Sequence, residues 1–66
     1  MNRSEIAKDL RQFTGSGMIT RKQLAEYLGV KSTWRVSETY LKGLTHDKHR
    51  YFITEVAARI WERLEV

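Results

Sequence analysis

Sixty-six residues make one domain and not two, and a chain this short buries only about 60% of its unfolded surface. With no cysteine it can form neither a disulfide staple nor a thiolate metal site, and no apolar run approaches the ~18 residues of a membrane span. The formal net charge is +4, and seven cations against three anions between Thr20 and Tyr51 carry that whole excess, a field that favours a polyanionic partner.

A small core must draw on large side chains, so Phe13, Tyr27, Trp34, Tyr40, Tyr51, Phe52 and Trp61 are its expected members. The start, Met-Asn-Arg-Ser-Glu, has no apolar signal-peptide segment. Together with the missing cysteine this leads us to expect a cytoplasmic setting, such as that of a bacterial or phage nucleoid-associated protein, and no membrane partner.

The first element is an amphipathic helix. Ile6, Leu10 and Phe13 recur on one stripe beside Ala7, and Asn2 and Glu5 stand at capping-pair spacing. Arg3, Lys8 and Arg11 form its solvated face. Thr14-Gly15-Ser16-Gly17 then reads as a short connector within one domain. In the second helix Thr20 and Gln23 have capping-box spacing, and Ile19 and Leu24 are placed to close a hydrophobic staple. Leu24, Ala25, Tyr27 and Leu28 supply its buried side. Gly29 ends it, because a left-handed residue there carries no Cβ clash.

The third helix begins near Thr33 or Trp34, capped by Ser32 or Thr33, and ends at Gly43. Trp34, Leu41 and Leu44 share one face, with Val36 and Tyr40 on its neighbour. Leu44–His46 and Arg50–Ile53 read as a small antiparallel hairpin, since the second is aromatic and β-branched. Thr54 then caps a closing helix in which Val56, Ile60 and Leu64 align beside Ala57 and Trp61.

The second and third helices meet several demands of a helix-turn-helix. A small residue sits where two helices would touch (Ala25), a glycine follows four positions later (Gly29), and Leu24, Leu28 and Val30 flank them. The run Ile19-Thr20-Arg21-Lys22-Gln23-Leu24-Ala25-Glu26-Tyr27-Leu28-Gly29-Val30 resembles the opening of excisionase-type and MerR-type winged helix-turn-helix domains. Arg50-Tyr51-Phe52-Ile53-Thr54-Glu55-Val56 resembles the wing strand and following helix of the same group. The resemblance covers roughly residues 19 to 64. It implies a DNA-binding fold used by transcription regulators and by recombination directionality factors of phages and mobile elements. One position departs: the group places an apolar residue six positions after the turn glycine, where this chain has Arg35 between Trp34 and Val36. A turn one residue longer would accommodate it.

The expectation is therefore a mainly α fold with a small β-hairpin, a winged helix-turn-helix in the order α-α-α-β-β-α. A single domain over 1–66 would comprise an amino-terminal helix (1–14), a helix-turn-helix (19–43), a wing (44–53) and a closing helix (54–64).

The polar residues of the third helix away from Trp34 and Leu41 include Lys31, Ser32, Thr33, Arg35, Ser37, Glu38, Thr39 and Lys42. Arg35, Thr33, Glu38 and Thr39 are the candidate base readers. Arginine can donate twice to guanine, and a glutamate can accept from a cytosine amino group. Arg21, Lys22, Lys31, Ser32 and Lys42 are candidate backbone contacts, which hold register without reading sequence. Lys48, His49 and Arg50 would carry the wing to a minor groove of negative potential.

His46-x-x-His49 can bring two imidazoles together, but zinc takes three or four protein ligands and no others are marked, so we assign no metal and no cofactor. Of the aromatics, Tyr51 is the one expected to escape core packing, because it alternates with Phe52 along a two-sided strand. The chain has no Cys–His pair, glycine-rich phosphate loop or clustered carboxylates, so no enzyme activity is expected. The expected function is sequence-specific binding of double-stranded DNA, with self-association or cooperative binding through the closing helix near Trp61 and Leu64. The alternative is a protein-interaction module on the same fold, without DNA.

Overall fold

The computed structural model describes residues 2–64. Helix α1 spans Arg3–Thr14, strand β1 Met18–Thr20 and helix α2 Arg21–Leu28. Helix α3 spans Thr33–Val36 and continues as a π-helical stretch, Ser37–Leu41; the hairpin strands β2 (His46–Asp47) and β3 (Arg50–Phe52) lead into helix α4, Ile53–Leu64. The molecule is mainly helical with a small antiparallel sheet. None of its described helices is long and apolar enough to cross a membrane.

The local signals act where the sequence places them. Asn2 Oδ1 accepts from the Glu5 amide at 2.9 Å while Glu5 Oε1 accepts from the Asn2 amide at 3.0 Å, closing the capping box of α1. Thr20 and Gln23 do the same for α2, at 3.1 and 2.9 Å. Ile19 and Leu24, the two staple positions, are both fully buried. Gly29 has φ +72°, the Val30 amide donates to the Ala25 carbonyl at 2.9 Å and the Gly29 amide to that of Glu26 at 3.2 Å. That pair of bonds is a Schellman motif, which turns the chain sharply out of α2.

The sheet has one strand more than expected. Met18–Thr20 pairs antiparallel with β3, Ile19 opposite Tyr51 and Thr20 opposite Arg50, so the strand order is β1-β3-β2 and the element order α-β-α-α-β-β-α. Three residues are too few to show a period of two, and the strand exists only because a distant partner supplies its hydrogen bonds. The hairpin itself is shorter than expected: β2 begins at His46, because the Leu44 amide is still occupied by the Leu41 carbonyl at 3.1 Å. Helix α4 begins at Ile53, one residue before the expected Thr54 cap. Its Ile53 amide donates to the Gly17 carbonyl at 3.1 Å, and the Ile53 side chain is fully buried.

The core corrects the expectation of aromatic packing. It consists of Ile6, Ala7, Leu10, Ile19, Leu24, Ala25, Val36, Leu41, Ile53, Val56, Ala57 and Ile60, with Tyr27, Tyr40, Tyr51 and Trp61 half-buried around it. Phe13, Trp34 and Phe52 are exposed. In a molecule of 27 × 25 × 22 Å the helices approach closely only through branched aliphatics and alanine, and rings are left at the rim. Leu64, the last residue of the expected α4 stripe, is exposed as well.

The third helix shows why. Val36 and Leu41 are both buried, five positions apart, which an α-helical period cannot align but an i→i+5 turn can. Val36 lies seven positions after Gly29 and takes the inward place that Arg35 would otherwise have occupied. Arg35 is therefore exposed, and Trp34 turns away from the core instead of into it.

Candidate nucleic-acid interface

Three elements converge on one face. Arg21 and Lys22 open α2 and Thr33 opens α3. With Thr20 and the hairpin residues Lys48, His49 and Tyr51, they line an open hollow of about 450 Å³. Among the described residues no carboxylate lines it, and the charges that line it are the Arg21, Lys22 and Lys48 cations. The convergence has a local cause at each edge. The capping box at Thr20 fixes the direction in which α2 starts, and pairing of Thr20 with Arg50 ties that start to the hairpin.

Lys48 and His49 form the tip, between the paired residues Asp47 and Arg50. Lys48 adopts φ +59°, the one positive φ outside glycine among the described residues. The tip is braced by His46, whose Nδ1 lies 3.0 Å from the Lys48 carbonyl, and whose ring leans on Tyr51 at 5.4 Å. This contact gives His46 a structural place beside the hairpin turn. Among the described residues no three His, Cys, Asp or Glu side chains gather as metal ligands.

The remaining sequence-selected residues lie along α3 and beyond the hollow. Lys31, Ser32 and Arg35 are exposed, while Thr33 and Thr39 are half-buried. Ser32 Oγ accepts from the Arg35 amide at 3.2 Å, which makes Ser32 the N-cap and spends its acceptor inside the chain. Arg35 makes no ion pair among the described residues. Glu38 pairs with Lys42 at 3.7 Å, and Arg50 with Asp47 at 3.7 Å; all four are well exposed, where such pairs contribute little. Glu38 and Lys42 face a separate hollow toward His46 and Tyr51.

The closing helix holds this face in place. Arg59 Nη1 donates to the Lys42 carbonyl at 3.1 Å, anchoring the end of the π-helical stretch, and Glu55 accepts from the Thr45 amide at 3.2 Å at the hairpin base. On the far side of α2, the Tyr27 hydroxyl donates to Asp9, and its ring meets Phe13 edge-on at 5.4 Å. Burial first, then the hydrogen bond and the charge of Asp9, push the Tyr27 phenol up to about 12.

Three side chains were placed otherwise by sequence reasoning. Tyr51 packs against the core and Phe52 is the outward ring of β3, because pairing with β1 sets which face is inward. Trp34 is exposed at the start of α3. Its only sequence signal was the alternative inward residue Val36, two positions on. No protein-family model, curated protein or solved structure matches this chain.

Proposed function

We propose that this chain is a winged helix-turn-helix protein that binds double-stranded DNA sequence-specifically, as a transcription regulator or an excisionase-like recombination directionality factor. The observation that carries the proposal is the cationic hollow where Arg21, Lys22, Thr33, Lys48 and His49 meet, which no carboxylate lines among the described residues. These residues come from three segments of the chain, and a polyanionic strand crossing the hollow would touch all three.

In this reading α2 is the positioning helix, α3 enters the major groove and the hairpin is the wing. Arg21, Lys22 and Lys31 hold phosphates on one side and Lys48, with His49, on the other. Arg35, exposed and in no ion pair among the described residues, reads a guanine edge, and Thr33, Glu38 and Thr39 are the further base readers. Lys42 and Arg50 must exchange Glu38 and Asp47 for phosphate, an exchange made easy by their weak pairing. Neighbouring copies on repeated sites would meet through the exposed Leu64 end of α4.

Selection of duplexes from a random pool, followed by binding titrations over a range of salt, tests the proposal. Enrichment of a defined sequence is expected. The logarithm of affinity should fall against the logarithm of salt with a slope of about −5, from the six phosphate-bound cations Arg21, Lys22, Lys31, Lys42, Lys48 and Arg50. Absence of any enriched duplex, or a flat salt response, would overturn it in favour of a protein-interaction module.

A further inference from the structure

Trp34 is the most exposed large apolar side chain among the described residues, at 69%. Its indole enters no ring pair and no cation–π contact there, whereas Trp61 is half-buried with the Arg3 guanidinium 5.4 Å from its ring centre. The next exposed apolar group along the chain, Val30, lies in the turn that leads into the same helix. An indole left in water forfeits the hydrophobic gain of burial, and no other part of the described chain covers this one.

The surroundings indicate what does. Trp34 follows Thr33, which lines the cationic hollow, and stands in the chain between Lys31 and Arg35, which makes no ion pair among the described residues. The nearest anion along the helix, Glu38, is already paired with Lys42. A surface that is apolar at its centre and cationic around it suits a polyanion with an apolar group on its floor. The major groove of DNA offers one such group, the C5-methyl of thymine. The first turn of a reading helix is also the part that reaches base edges.

Building on the DNA-binding reading above, we infer that Trp34 is a base-reading residue whose indole packs on a thymine methyl next to the base pair read by Arg35. Arg35 supplies the polar half of this recognition and Trp34 the apolar half.

The test uses the duplex selected by the full chain, with each thymine replaced in turn by deoxyuracil, which lacks only the methyl. One or two positions should weaken wild-type binding about fourfold, the weight of a buried methyl (about 0.8 kcal/mol). Trp34→Ala should bind the thymine and deoxyuracil duplexes alike, with its affinity for unrelated DNA kept within about twofold at the same salt. Trp34→Phe should keep part of the preference. Because the side chain is exposed, both variants should fold, as circular dichroism would verify. Deoxyuracil without effect at every position of a duplex still selected by the wild type would overturn the inference and leave DNA binding standing. So would unchanged deoxyuracil sensitivity in Trp34→Ala, and the same result combined with lost self-association would assign the ring to a contact between copies. If the wild type retains no duplex, the DNA-binding reading and this inference fall together.

Discussion

Lys48 sits where the hairpin would favour glycine. It is the first of the two residues joining β2 to β3, and its φ of +59° lies in the left-handed region. Glycine adopts that conformation freely, whereas an L-residue bears a Cβ clash of roughly 1–2 kcal/mol. Replacing Lys48 by glycine removes that strain but enlarges the unfolded ensemble, which takes back about 0.4–1 kcal/mol. The net expectation is a stabilisation of about 0.5–1 kcal/mol, seen as a rise of about 3–6 °C in the melting temperature of a domain this small. DNA binding should move the other way. Loss of one phosphate-bound cation should weaken affinity and make the salt slope shallower by about 0.9. Thermal melting followed by circular dichroism gives the first quantity, and titrations at several salt concentrations give the second. Lys48→Asn, which also tolerates a positive φ, should reproduce the binding loss. An unchanged or lower melting temperature for Lys48→Gly would refute the strain argument, and an unchanged salt slope would remove Lys48 from the interface. Strain retained at a cationic tip is the kind of local outlier that points to function.

Three further outcomes follow from the geometry. Arg35→Ala should lose about 1–3 kcal/mol on the selected site and relax preference at one base pair, whereas Arg21→Ala should weaken all sequences alike and make the salt slope shallower by about 1; competition titrations distinguish the two. Ala25 is buried in the core and α2 packs against α3, so Ala25→Leu should destabilise by about 1–3 kcal/mol in urea unfolding, and an unchanged midpoint would show that no close packing is made at Ala25. The Tyr27 phenol, at about 12, lies above its value of about 10 in an unfolded chain. The stability it contributes is therefore complete below pH of about 10 and is lost as pH climbs through about 12. An ultraviolet titration should find one late tyrosine, and Asp9→Asn should bring it part of the way back, since burial remains. A wild type in which every tyrosine ionises near 10 would contradict this.

The sequence by itself determined whatever depends on neighbours three to five positions away. Asn2 with Glu5, Thr20 with Gln23, the staple of Ile19 and Leu24 and the left-handed Gly29 were all legible, because a cap is made by side chains and amides of one turn. It also placed the positive charge in the middle of the chain. Strand β1 was not legible, since three residues form a strand only against β3, some thirty positions away. The inward face of the third helix was not legible either. Trp34, Val36, Tyr40 and Leu41 fit more than one register, and the choice falls to α2 and α4, which accept Val36 and Leu41 as buried aliphatics through a π-helical turn. That tertiary choice turns Trp34 and Arg35 outward. The same packing and pairing bring Arg21, Lys22, Thr33 and Lys48 to one hollow, because caps set the direction of single elements while only their mutual burial sets which side chains meet.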